Sequence, residues 1–295
     1  MGWLGIVNPH AGWGKKGVPL TKTLSSLKKI TPHYIITDYS GHAEQLARDA
    51  SDCDGFAVAG GDGTIFEVLN GMDCERQGLA IIPAGTGNSL ARDFELTGAK
   101  REIDAIHEEN MIAVDLIRVT FKDKDGVDRT RISASTIALG YPAMVGDRAN
   151  RHYKFLGKLC YPVAATAGTL FQKRFSARLS YCSLPPESKL LSGLIINNTR
   201  HVANFLAFPN ASINDGSFDV MEMRAGFFRQ NLHNLSVLSK KHFYSPAILK
   251  REDSLIVNME RPQDLVIDGE IYSDIIGIQV QTLPRLLRYY QMWKV

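Results

Sequence analysis

"AVAGGDGTIFEVLNG", residues 57–71, runs from an apolar stretch through Gly60, Gly61 and Gly63, set around Asp62, into a helical pattern. A change from a continuous apolar run to helical spacing at a glycine cluster predicts a strand, a tight loop and a helix. The same sequence of events recurs in "IIPAGTGNSLARDF", residues 81–94, with Gly85 and Gly87 at the junction. Two such junctions on neighbouring strands would converge at the carboxyl edge of a sheet, where open α/β folds bind ligands. Glycines let backbone N–H groups approach an anion, and the helix that follows adds positive potential. Thr64, Thr86 and Asn88 would add side-chain hydrogen bonds. Asp62 repels a phosphate directly, so its place is beside a Mg²⁺ that bridges phosphates, or as acceptor of a hydroxyl proton. The plainer reading is a pair of glycine turns around an aspartate cap.

Outward from these loops the texture is regular. "WLGIV", "YIIT", "GFAVAG" and "LAIIPA" read as strands, separated by the helical "PLTKTLSSLKKI", "HAEQLARDAS" and "TIFEVLNGM". Nearly continuous apolar strands alternating with helices predict a mostly parallel sheet in a three-layer α/β domain. After "IAVDLIRVTF" the pattern changes to strands with partial period-two alternation: "DRTRISASTIAL", "RFSARLSYCS", "KLLSGLIINN", "GSFDVMEMRA", "DSLIVNM", "QDLVID" and "IGIQVQT". These predict a mainly antiparallel β-sandwich, interrupted by helices over roughly 145–171 and 227–241. The expected domains are 1–118 and 119–295, with the last residues packing back on the first.

Bulk properties narrow the function. With 295 residues, 44% hydrophobic and 22% charged, the chain is an ordinary globular composition long enough for two cores. A net charge of +3 gives no argument for nucleic acid. Cys53, Cys74, Cys160 and Cys182 form no C-x-x-C pair, which points to a reducing compartment without a zinc site. The N-terminal "MGWLGIVNPHAG" reads as a first strand and not a signal peptide, and "YPVAATAGTLF" is too short to span a membrane. The expected location is the cytoplasm, peripheral to a membrane.

A third glycine stretch, "GWGKKG" at residues 12–17, follows the first strand and matches the dinucleotide fingerprint G-x-G-x-x-G, with Asp38 near the end of the next strand. Asn8 and Pro9 intervene where that fingerprint expects its first glycine, so a flexible basic turn stands beside the dinucleotide reading.

"VNPHAGWGKKG", "GGDGTIFEVLNG" and "PAGTGNSLARDF", in this order and spacing, resemble the diacylglycerol kinase catalytic-domain family, which includes bacterial lipid kinases, sphingosine kinases and ceramide kinases. "ITDYSGHAEQLARDA", "NASINDGSFDVMEM" and "LVIDGEIY" extend the resemblance over nearly the whole chain. The resemblance implies an α/β nucleotide domain followed by a β-sandwich, with ATP bound between them. It implies that Asn8, Thr37, Gly60, Gly61, Asp62, Gly63, Thr64, Gly85, Thr86 and Asn88 hold the nucleotide, with Lys15 and Lys16 offsetting phosphate charge. Asp268-Gly269-Glu270 is similar to the family's second acidic motif. There Glu270 is the base in bacterial members, while in sphingosine kinases the residue matching Asp62 has that task. The "DG" pair is equally a hairpin turn. "INDGSFDV" is similar to a Mg²⁺ site with the Asp215 carboxylate and the carbonyls of Ser212 and Ser217, and is likewise a turn sequence.

The chain departs from the family at points that bear on the acceptor. Ser89 stands where bacterial members usually carry an acidic residue, and Phe66 replaces a commoner Asn. "GTGNSLA" leans to the sphingosine and ceramide kinase side, but Met144 occupies the place of their amine-binding acid, with Asp147 displaced from it. The expected activity is phosphoryl transfer from ATP, with Mg²⁺, to a diacylglycerol-like or sphingoid-like hydroxyl. The alternatives are a NAD-kinase-like phosphotransferase on a soluble acceptor and a non-catalytic nucleotide- or lipid-binding protein of the same fold. The expected partners are the lipid and an anionic membrane surface, with a homodimer compatible. Arg148, Arg151, Lys154 and Lys158 among Tyr153, Phe155, Leu156 and Leu159, followed by Lys240 and Lys241, would meet that surface.

Overall fold

A computed structural model describes residues 2–11, 20–84, 89–94, 111–152, 160–170, 173–182, 184–202, 205–224, 231–232 and 248–290. The chain divides into two compact units, Met1–Leu116 with Pro284–Val295, and Ile117–Leu283.

In the first unit the order is β1 (Trp3–Val7), α1 (Leu20–Leu27), β2 (Tyr34–Ile36), α2 (His42–Asp49), β3 (Gly55–Gly60), α3 (Asp62–Gly71), β4 (Gly78–Pro83) and α4 (Ser89–Phe94). β1 lies between β2 and β3, β3 pairs β4, and all these pairs are parallel. Every residue of β3 is buried, as a strand covered on both faces requires. Leu27 of α1 packs with Val7, Ala57, Ala59, Ala80 and Ile82 on one face. Alternation along the strand turns Phe56 and Val58, both fully buried, to the other. At Gly71 a Cβ would collide with the Glu44 carbonyl, so this glycine sets how closely α3 can lie against α2.

The second unit begins within β5 (Met111–Asp123), followed by β6 (Asp128–Ser133), β7 (Thr136–Gly140), α5 (Tyr141–His152) and α6 (Cys160–Gly168). Then come β8 (Phe175–Tyr181), β9 (Glu187–Leu191), β10 (Gly193–Asn197), β11 (His201–Val202), β12 (Phe205–Leu206), β13 (Phe218–Met223), β14 (Ile248–Glu252), β15 (Ser254–Ile267) and β16 (Glu270–Tyr290). The ladders that join β7, β8, β9, β10, β13, β14, β15 and the first part of β16 are antiparallel, as are β5 with β6 and β11 with β12. β15 is where the sheet forks. Residues 255–259 carry β8 and then β9, while residues 265–267 carry β7, β10, β13 and β14 in turn. The register shifts between these two halves, around Pro262, which has no N–H to give a ladder. The two branches meet through Glu222 of β13, which accepts bonds from Tyr181 of β8 at 2.6 Å and Lys189 of β9 at 2.8 Å. This is the antiparallel layered unit that the sequence pattern predicts.

Several boundaries differ from the sequence reading. "DSLIVNM" and "QDLVID" form one strand, because the chain shifts register at Pro262 instead of turning. "KLLSGLIINN" is two strands, broken at Ser192, and a Cβ on Gly193 would collide with the Pro142 ring. "DRTRISASTIAL" is also two, broken at Ala134 and Ser135. The first helical segment starts earlier than read, at Tyr141, after Gly140 with φ +69°, and is seen as α5 and α6. Of the segment read over 227–241, only residues 231–232 are described, and they are helical. Buried Tyr141, Val145, Ala149 and Ala164 pack these helices on Ile195, Met221 and Met223.

Last, Arg288 and Tyr289 of β16 pair in parallel with Gly78 and Leu79 of β4, within the first unit. Asp115, fully buried, accepts the Arg285 N–H at 2.6 Å and fixes the start of that strand end.

Candidate active site

In the first unit the strand order reverses at β1, whose successor β2 lies on one side and β3 on the other. The carboxyl ends of strands at such a reversal form the crevice in which open α/β sheets take ligands. Asn8, Thr37 and the 60–64 loop all stand at this edge. The Asn8 N–H donates to the Ala59 carbonyl at 2.9 Å, and the Thr37 N–H to the Val7 carbonyl at 2.8 Å. Asn8 Nδ2 donates to Thr64 Oγ1 at 2.9 Å, joining the first loop to the third. The same Asn8 accepts the His10 N–H at 2.9 Å on Oδ1, which turns the chain sharply after β1.

The glycines have a physical reason. A Cβ on Gly60 would sit 2.6 Å from Thr64 Cβ, so only glycine lets the first turn of α3 fold over the end of β3. Gly61 is extended and its carbonyl accepts the Ile65 N–H at 3.1 Å, starting the helix. Asp62 opens α3, where the helix end carries positive potential. Its Oδ1 also accepts the Leu90 N–H at 3.2 Å, bridging the first glycine junction to the second. The backbone-holding reading of Asp62 is therefore visible in its bond to the Leu90 N–H. Gly85, Thr86 and Asn88 lie outside the described residues, as do Lys15 and Lys16.

Glu67, which the sequence reading passed over, holds the loop after β2. Its two carboxylate oxygens accept the N–H groups of Gly41 at 2.8 Å and Ala43 at 3.1 Å. Gly41 adopts φ +89°, a left-handed conformation suited to glycine. The signal was present as a Gly-His-Ala helix start without a capping side chain of its own.

In the second unit Ile267 pairs with Glu270, so Asp268 and Gly269 make a two-residue hairpin turn with φ +47° and +99°. Glu270 is exposed at the tip, as the first residue of β16. Asp268 does more than turn. Its Oδ1 accepts Ser133 Oγ at 2.9 Å, the Ser135 N–H at 3.1 Å and the Thr136 N–H at 2.7 Å, and Oδ2 accepts the Ala134 N–H at 2.7 Å. Burial pushes the Asp268 carboxyl up to about 6, against the downward pull of these four bonds. The sequence marks the turn but not this role, because the donors lie more than a hundred positions away.

Asp215 stands at a tight turn, with Gly216 at φ +77°. Its Oδ1 accepts Ser217 Oγ at 2.8 Å and the Ser217 N–H at 3.2 Å, and its Oδ2 faces Arg251 Nη1 at 3.4 Å. Ser212 Oγ donates to Asn214 Oδ1 at 3.1 Å. The donor set is oxygen, as Mg²⁺ prefers, but both Asp215 oxygens are engaged in this arrangement. A cation at this turn would compete with Arg251 for the Asp215 carboxylate. Among the described residues no group of three or more His, Cys, Asp or Glu is placed to hold a metal.

Comparison with known proteins bears on this arrangement. Residues 2–119 match the family described as "Diacylglycerol kinase catalytic domain". The chain is 32% identical over 180 residues to a "Diacylglycerol kinase" of Mycobacterium tuberculosis, an alignment covering 58% of this chain and 55% of that one. It is 25% identical over 265 residues to a "Diacylglycerol kinase" of Staphylococcus carnosus, covering 82% and 83% respectively. The fold is similar to a crystal structure described as a diacylglycerol kinase from Bacillus anthracis, with TM-score 0.71, 22% identity, and coverage of 98% and 97%.

Proposed function

We propose, on the premise that residues 2–119 are a diacylglycerol kinase catalytic domain, that the chain transfers the γ-phosphoryl group of MgATP to the hydroxyl of a lipid. The observation that carries this reading is the junction of Asn8, Gly60 and Thr64 at the strand reversal, with Asp62 opening α3 beside it. In this proposal the N–H groups at the start of α3 hold the phosphates, and Asn8 and Thr37 hold the rest of the nucleotide. Thr86 and Asn88 join them from the second glycine loop. Asp62 orients the Mg²⁺ that arrives with ATP, as part of the substrate.

Glu270 is the proposed base. It takes the proton of the acceptor hydroxyl; the oxygen bonds to the γ-phosphorus; the bond to the β,γ-bridging oxygen breaks; and ADP leaves with that electron pair. The acceptor is of diacylglycerol or sphingoid type, presented at a membrane. Exposed Val163, Leu170 and Leu232, with exposed Lys173 and Arg174 beside Leu170 in sequence, support contact with an anionic surface. No helix among the described residues is long and apolar enough to cross a membrane.

Glu270→Gln should lower kcat by on the order of 10²–10⁴ with the KM for MgATP little changed, since the group acts on the acceptor. Asp62→Asn should lower kcat and weaken MgATP binding together. Steady-state kinetics with titrated MgATP separates the two. An active Glu270→Gln beside an inactive Asp62→Asn with normal MgATP binding would move the base to Asp62.

A further inference from the structure

A two-residue hairpin turn needs left-handed backbone and no partner elsewhere, and an aspartate in it ordinarily points to water. Asp268 instead gives both oxygens to one short stretch, Ser133 to Thr136. Its own N–H donates to the Thr136 carbonyl at 2.8 Å, so five bonds tie the tip of this hairpin to that stretch. Ser133 to Thr136 is held in turn. The Asn198 N–H donates to the Ser135 carbonyl at 2.8 Å, the hydroxyls of Ser135 and Thr199 are 3.1 Å apart, and Thr136 Oγ1 donates to Asn197 Oδ1. Asn197, Asn198 and Thr199 are at most 1% exposed. Buried polar groups bonded to one another in this way leave little freedom in where the hairpin tip lies.

From this we infer that Asp268 is a positioning residue for phosphoryl transfer: it latches the β15–β16 turn to residues 133–136 and thereby fixes Glu270, two residues on. The inference rests on the assignment of Glu270 as base. Asp268 itself touches neither the acceptor nor the nucleotide. A displaced base loses rate without losing substrate, because small misplacements of a catalytic group are felt in the transition state.

The test is a double-mutant cycle on the full chain, assayed with MgATP and the dispersed lipid acceptor. Asp268→Asn keeps the size of the side chain but turns one acceptor into a donor facing N–H groups. It should lower kcat about 10²-fold, leave the KM for MgATP unchanged and retain the wild-type circular dichroism spectrum. In a Glu270→Gln background it should cost nothing further, since the group it positions is already gone. Losses that multiply in the double variant, or an Asp268→Asn enzyme as fast as wild type, would overturn the latch. If Asp268→Asn fails to fold, Ser133→Ala removes a single donor and should cost several-fold in kcat, again with no cost in the Glu270→Gln background. A fully active Glu270→Gln variant would sink the base assignment, and this inference with it. An inactive Glu270→Gln beside multiplying losses would sink only the latch.

Discussion

At the scale of single residues, the glycines around Asp62 were legible because their reason is local. Gly60 is forced by Thr64, four positions on in the same quoted stretch. Asp268 was legible only in part: "DG" marks the turn, whereas its four donors come from a segment far back in the chain. Its titration gives a prediction. The unfolded chain binds this proton only near the ordinary value of 3.8, the folded chain up to about 6. Between those values the native state holds more protons, so this group's contribution to stability falls as pH rises through the window. Denaturant unfolding of wild type and Asp268→Asn from pH 4 to 7 checks this. The difference in unfolding free energy between them should change across the window, and a constant difference would contradict it.

At the scale of elements, apolar runs announced the buried strands, and glycine junctions announced the helices that follow them. The strand breaks at Ala134–Ser135 and Ser192 were not announced, since tertiary bonds and a proline ring make them. The edge strands carry a further device. Lys189 on β9 and Lys250 on β14 both reach inward to Glu222, at 2.8 and 3.7 Å, and Arg224 bonds its other oxygen. Inward charges on edge strands discourage sheet-to-sheet association. Burial raises the Glu222 carboxyl, but the bonds from Lys189, Tyr181 and Arg224 outweigh it and hold the group below its ordinary value. Glu222→Ala would leave Lys189 buried without its main partner and should destabilise the fold by about 3–5 kcal/mol. Urea unfolding measures this, and a loss below about 1 kcal/mol would show the network to be dispensable.

At the scale of the whole molecule, two textures of sequence correspond to two kinds of strand pairing, parallel and antiparallel, and the three quoted motifs resemble the family whose model matches residues 2–119. What the sequence left open is what depends on distant pairing: the fork at β15, and which strand the returning last residues join, β4 in parallel through Arg288 and Tyr289. The acceptor is left open too, because it depends on the shape of a binding surface and not on a motif. The measurement that tests the central claim is transfer of labelled γ-phosphoryl from MgATP to diacylglycerol, phosphatidylglycerol, a sphingoid base and ceramide. Each is presented in anionic and in neutral vesicles, with NAD as the soluble control, and products are separated by thin-layer chromatography. The account predicts label in a lipid hydroxyl, more from anionic vesicles than neutral ones, and none with Glu270→Gln. Label in NAD with none in any lipid would contradict it.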